Sequence, residues 1–87
     1  MTPYDFVMDE VALAILRVTD ALMANDPLAI AEECAAARRV CGDILQLYPK
    51  LQLHAEERDA LLWQISLLGS QLDHCERFLK PPVAVEV

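Results

Sequence analysis

The sequence predicts an all-α protein: an up-down-up, antiparallel three-helix bundle with coiled-coil-like packing. Three observations predict it. Apolar residues recur in three ladders whose gaps alternate between four and three, the repeat of a helix face turned toward other helices. Pro27 and Pro49 fall between the ladders. No stretch shows the strict apolar–polar alternation of a strand. The 87 residues make one domain. The helices are expected at about 3–24, 27–47 and 55–79, with the bundle over 1–80 and a short extended tail over 81–87.

The first helix starts at Thr2-Pro3-Tyr4-Asp5. Thr2 can accept from a free backbone N–H, Pro3 suits the first helical position, and Asp5 favours the positive helix end. Its ladder is Tyr4, Met8, Val11, Ile15, Val18 and Leu22. Asn25-Asp26-Pro27 then breaks the chain. The residue before a proline is pushed out of the helical region, and Pro27 lacks a donor. Asp26 caps the second helix, and the short link makes the two helices antiparallel neighbours.

The second ladder is Ile30, Cys34, Ala37, Cys41, Ile44 and Tyr48. Ala35, Ala36 and Ala37 leave room for a neighbouring backbone. Gly42, a poor helix former, is expected to mark a close crossing or a kink. Tyr48-Pro49-Lys50 ends the helix. Leu51 to His54 reads either as a loop whose two leucines plug the bundle end or as the first turn of the third helix.

The third ladder is Leu61, Ile65, Leu68, Leu72, Cys75 and Leu79. Its middle, Ala60 to Leu72, carries no charge and is bracketed by Asp59 and Asp73. Glu56 and Glu57 in the first turn, and Arg77 and Lys80 at the end, suit the helix dipole. Gly69-Ser70 marks a bend or a thin contact. Pro81-Pro82 stops the helix, and the apolar tail after it is expected to fray, or to add as a strand to a partner.

Composition narrows the function. Net charge is −7, and each third of the chain is acidic. Nucleic acid and anionic membranes both demand clustered Lys and Arg, and only Arg38 and Arg39 are adjacent. No run reaches the ~18 apolar residues of a membrane span. The N-terminus lacks a basic stretch before an apolar one, so no signal peptide is expected. The expectation is a cytoplasmic protein that binds neither nucleic acid nor membrane. Yet 55% of residues are hydrophobic and mean hydropathy is +0.26. Either the core is unusually rich or apolar surface awaits a partner.

No motif for catalysis stands out. Cys34 and Cys41 are seven apart, about 10.5 Å along a helix, too far for one zinc ion to bind both. Core cysteines are the expectation, with thiol redox chemistry as the alternative. His54 and His74 are isolated. The pairs Asp9-Glu10, Glu32-Glu33 and Glu56-Glu57 flank the ladders and lack the Glu-x-x-His step of a di-metal bundle. The expectation is a non-enzymatic protein with no cofactor and no metal.

Five apolar residues lie off the ladders: Phe6, Leu13 and Leu16 on the first helix, Trp63 and Leu67 on the third. Either the core faces are wider than one seam, or these residues contact a protein partner, for which tryptophan is a favoured anchor. They are the candidate partner-binding residues, with self-association into a homodimer also expected.

The segments 21–30 (ALMANDPLAI), 41–45 (CGDIL) and 56–62 (EERDALL) give a helix end, an acidic turn, a closing second helix and the opening of a long third one. Over roughly residues 10–79 this resembles the flagellar and type III export chaperones of the FlgN/FliT kind. The resemblance implies a small acidic helical chaperone that covers an apolar helical segment of a client protein. The alternative function is a regulatory inhibitor, an antiactivator or phage-encoded protein that blocks a larger factor.

Overall fold

The computed structural model describes residues 2–79. Three helices, α1 (Pro3–Ala24), α2 (Pro27–Leu47) and α3 (Ala55–Leu79), pack each against the other two. A 3₁₀ turn, Tyr48–Lys50, follows α2. No strand occurs among the described residues, and the protein is a three-helix bundle. The Lys80 contribution to the last turn, the Pro81-Pro82 stop and the 81–87 tail lie outside the described residues.

Local chemistry sets each helix start. Thr2 Oγ1 accepts from the Asp5 N–H at 3.1 Å, and the Thr2 N–H donates back to Asp5 Oδ2 at 3.4 Å. This reciprocal box satisfies two donors at the start of α1. Asp26 Oδ1 accepts from the Leu28 N–H at 3.1 Å to start α2. At α3 the Glu57 carboxylate accepts from the His54 N–H at 3.1 Å, and the His54 carbonyl accepts from the Arg58 N–H at 2.8 Å. Asn25 ends α1 in the left-handed region, φ 57°, with its N–H shared between the Ala21 and Leu22 carbonyls. Asparagine tolerates that conformation better than most residues.

The seams of α2 and α3 lie where the ladders put them. Ile30, Cys34, Ala37 and Ile44 are buried on α2, with Cys41 and Tyr48 packed beside them. Leu61, Leu68 and Cys75 are buried on α3, flanked by Ile65, Leu72 and Leu79. Burying a side chain the size of Leu61 or Leu68 contributes roughly 1.5–3 kcal/mol.

The seam of α1 is rotated from the expected one. Its buried line is Val7, Val11, Ala14, Val18 and Ala21. Tyr4, Met8, Ile15 and Leu22 are only half-buried along one edge. The two ladders share Val11 and Val18. Two neighbours press on α1, so the line facing both is the one where small side chains let them close in. The larger Met8 and Ile15 then cover the edge. Spacing reveals the repeat, but a wide apolar arc leaves its centre open.

One further expectation is corrected, and one left open by the sequence is decided. A Cβ added at Gly42 or at Gly69 would meet nothing within 4 Å, so neither marks a close crossing or thin contact within the chain. Residues 51–54 are not helical; Leu51 and Leu53 are half-buried against the core, plugging one end of the bundle.

Candidate protein-binding groove

Three adjoining depressions make an interrupted groove along the α1–α2 contact. At one end it opens to about 390 Å³, lined by Phe6, Val7 and Glu10 from α1 and by Val40, Asp43, Ile44, Gln46, Leu47 and Lys50 from α2 and the turn after it. Glu10 and Val40 continue into a narrower middle section with Leu13, Ala14, Arg17, Glu33, Ala36 and Ala37. Arg17 and Glu33 carry on into the far section with Asp20, Ala21 and Ala29.

Helix geometry builds this groove. On α1, Phe6, Glu10, Leu13, Arg17 and Asp20 step by four and three beside the buried line. On α2, Ala29, Glu33, Ala36, Val40, Asp43 and Leu47 do the same. Each set forms one stripe along its helix. The alanines keep the α2 wall low in the middle. Buried Val7 and Ile44 form the floor at the wide end, and Phe6 (50% exposed) and Leu47 (40% exposed) stand at its sides. The charged groups along the groove are Glu10, Asp20, Glu33 and Asp43 against Arg17 and Lys50, an acidic balance. Among the described residues none of these six forms an ion pair within the chain.

All five sequence-derived candidates are exposed, but they do not form one surface. Phe6 and Leu13 line the groove. Leu16 is more exposed than either and lines no part of it. Trp63 and Leu67 stand on the outside of α3, away from the groove. Val40 and Leu47 belong to the groove and were missed from the sequence. The signal was present: both sit beside the α2 ladder at the spacing of a second stripe. Met23, Leu28, Leu45 and Leu62 are further exposed apolar side chains that the ladders did not single out.

The cysteines form a different environment. Cys34 and Cys75 are completely enclosed, and their thiols meet across the α2–α3 seam. Burial, then the hydrogen bond and charge of the Cys75 thiol, push Cys34 up to about 12. Burial also raises Cys41. A thiol held protonated is a poor nucleophile and a poor metal ligand. Among the described residues, no three His, Cys, Asp or Glu side chains gather as a metal site would need. The Arg38–Glu76 pair at 2.8 Å bridges α2 and α3 with both side chains about half exposed. Such pairs contribute roughly 0–1 kcal/mol.

No described helix is long and apolar enough to cross a membrane. No protein-family model, curated protein or solved structure matches the chain.

Proposed function

We propose that this protein is a non-enzymatic binding module that takes one amphipathic helix of another protein into the α1–α2 groove. The observation supporting this is the wide opening between α1 and α2, floored by Val7 and Ile44 and sided by Phe6 and Leu47, in a groove whose charges are on balance acidic. A fourth helix laid there completes a four-helix arrangement, and helix-in-groove recognition uses such surfaces. The apolar face of the occupant meets Phe6, Leu13, Val40 and Leu47. Its flanking Lys or Arg residues meet Glu10, Glu33 and Asp43. In a cell this is the work of a small acidic cytoplasmic chaperone covering an apolar helical segment of a client, the role that the export-chaperone resemblance implies.

The test is a titration followed by NMR. Two synthetic amphipathic helical peptides share one apolar face, one flanked by lysines and one by glutamates. The lysine peptide is expected to shift the amides around Phe6, Leu13 and Leu47, and the glutamate peptide to bind far more weakly. Leu13→Asp with Leu47→Asp should abolish binding while helix content is kept. Equal binding of both peptides, or binding unaffected by the double variant, would sink the reading.

A further inference from the structure

The outside of α3 carries a second stripe: Glu56, Asp59, Trp63, Ser66, Leu67, Ser70, His74 and Arg77. All eight are exposed. Apart from the adjacent Ser66 and Leu67, they recur at gaps of three and four on the side opposite Leu61, Leu68 and Cys75. Trp63 is 62% exposed, with Leu67 one turn away. Among the described residues, nothing encloses the indole.

Two properties of the stripe restrict what can cover it. The first is its neutrality. From Ala60 to Leu72 there is no charge, whereas on α1 and α2 a charge recurs at least every seven residues. A chain of net charge −7 repels its own copies, so a second copy approaches most readily over the uncharged run from Ala60 to Leu72. The second is the polarity of its ends. Glu56 and Asp59 stand at the N-terminal end, His74 and Arg77 at the C-terminal end. Reversed about the midpoint between Ser66 and Leu67, the stripe matches itself. Glu56 comes level with Arg77, Asp59 with His74, Trp63 with Ser70, and Ser66 with Leu67. Acid faces arginine or histidine in the two outer layers, and large faces small in the two inner ones. A parallel pairing would instead stack Glu56 on Glu56 and Trp63 on Trp63. Asp73, also exposed, follows Ser66 by seven residues at the edge of the same stripe, and under the same reversal it comes level with the uncharged Ala60. Among the described residues, neither Glu56 nor Arg77 has an ion-pair partner in its own chain, whereas Asp59 lies 3.8 Å from Arg58.

We infer that the outer face of α3 is a homodimer interface, in which two copies pack α3 antiparallel about a two-fold axis at Ser66 and Leu67. The interface is isologous, as two-fold symmetry requires. Trp63 of each copy lies over Ser70 of the other. The stripe is about 30 Å long from Glu56 to Arg77. One helix face of that length is a small interface, so the dimer is an exchanging one with a dissociation constant in the micromolar range. The inference is independent of the groove, which lies on the α1–α2 side and stays open in the dimer.

Sedimentation velocity across the micromolar range should show concentration-dependent dimerisation. Trp63→Glu should abolish it with the helical spectrum intact. Glu56→Arg alone and Arg77→Glu alone should each weaken it about tenfold. The double swap, Glu56→Arg with Arg77→Glu, should restore it, because each arginine again faces a glutamate. In a Cys41→Ser background, Ser66→Cys should be joined into a covalent dimer by a short bismaleimide, whereas Glu56→Cys should not. A monomer at every concentration, a dimer indifferent to Trp63→Glu, a double swap that fails to restore association, or efficient cross-linking from position 56 overturns the inference.

Discussion

The Gln71 side-chain amide donates a hydrogen bond to the Thr19 hydroxyl at 2.6 Å across the α1–α3 contact. Thr19 gives its own proton to the Ile15 carbonyl at 2.7 Å, so its oxygen can only accept. Gln71 must therefore present its nitrogen. Among the described residues, its buried carbonyl oxygen, Oε1, meets no donor. A buried orphan acceptor costs about 1–3 kcal/mol.

Gln71→Met removes the orphan and keeps the volume, so it is expected to be neutral or to stabilise by up to about 1 kcal/mol. Gln71→Glu sets a carboxylate against an oxygen with no proton to offer, and should destabilise by about 2 kcal/mol or more at neutral pH. Urea denaturation at fixed protein concentration reads both. A loss of more than about 1 kcal/mol in Gln71→Met would mean that Oε1 has a partner, such as a bound water.

Leu68 is fully enclosed at the middle of the bundle, and Leu45 is largely exposed on α2. Leu68→Ala should cost about 2–5 kcal/mol, a large fraction of the ~5–15 kcal/mol available to a domain. Leu45→Ala should change stability by about 0.5 kcal/mol or less. Similar thermal midpoints for the two variants would contradict the packing described.

The Cys34 thiol gives a pH dependence of known sign. Its pKa is raised from 9.0 to about 12 by burial first and by the Cys75 thiol second. Below about pH 9 the folded and unfolded chains both hold this proton, and stability does not depend on it. Above that, the unfolded chain releases the proton and the folded one keeps it. Stability then falls, by up to about 1.4 kcal/mol per pH unit, until the folded thiol itself ionises. Cys34→Ala removes this term. The stability difference between wild type and Cys34→Ala should be constant from about pH 6 to 8 and shift against the wild type above about pH 9. A difference that stays constant to high pH would contradict the enclosure of Cys34.

Gln52 adopts φ 48° in the link before α3. A β-branched side chain is strained there, so Gln52→Val should cost about 1–2 kcal/mol. Gln52→Gly exchanges relief of that strain against the entropy of glycine, and should change stability by about 0.5 kcal/mol or less. Equal stability of the two variants would argue against the left-handed backbone at this position.

Much of the fold was legible along the chain. Thr2, Asp26 and Pro27 announce helix starts through local hydrogen bonding and ring geometry, which need no distant partner. The ladders on α2 and α3 name their buried residues because each is a narrow stripe. The α1 ladder was read one edge away from its true centre, because Phe6, Met8, Leu13 and Ile15 give that helix apolar residues on both sides of the core. The five candidate contact residues were recognised as lying off the ladders. Their division into a groove pair, Phe6 and Leu13, and an outer pair, Trp63 and Leu67, was not legible.

The sequence by itself determined that this chain forms three amphipathic helices with capped starts, an acidic exterior, and more apolar side chains than three seams require. These are properties of neighbours in the chain, set by turns and by the 3.6-residue repeat. Only the tertiary structure decided which line of α1 is buried, that Cys34 meets Cys75, and that Val40 and Leu47 join Phe6 in one groove. Those relations depend on how far each helix is rotated about its own axis, and that rotation is chosen by packing among residues distant in the chain.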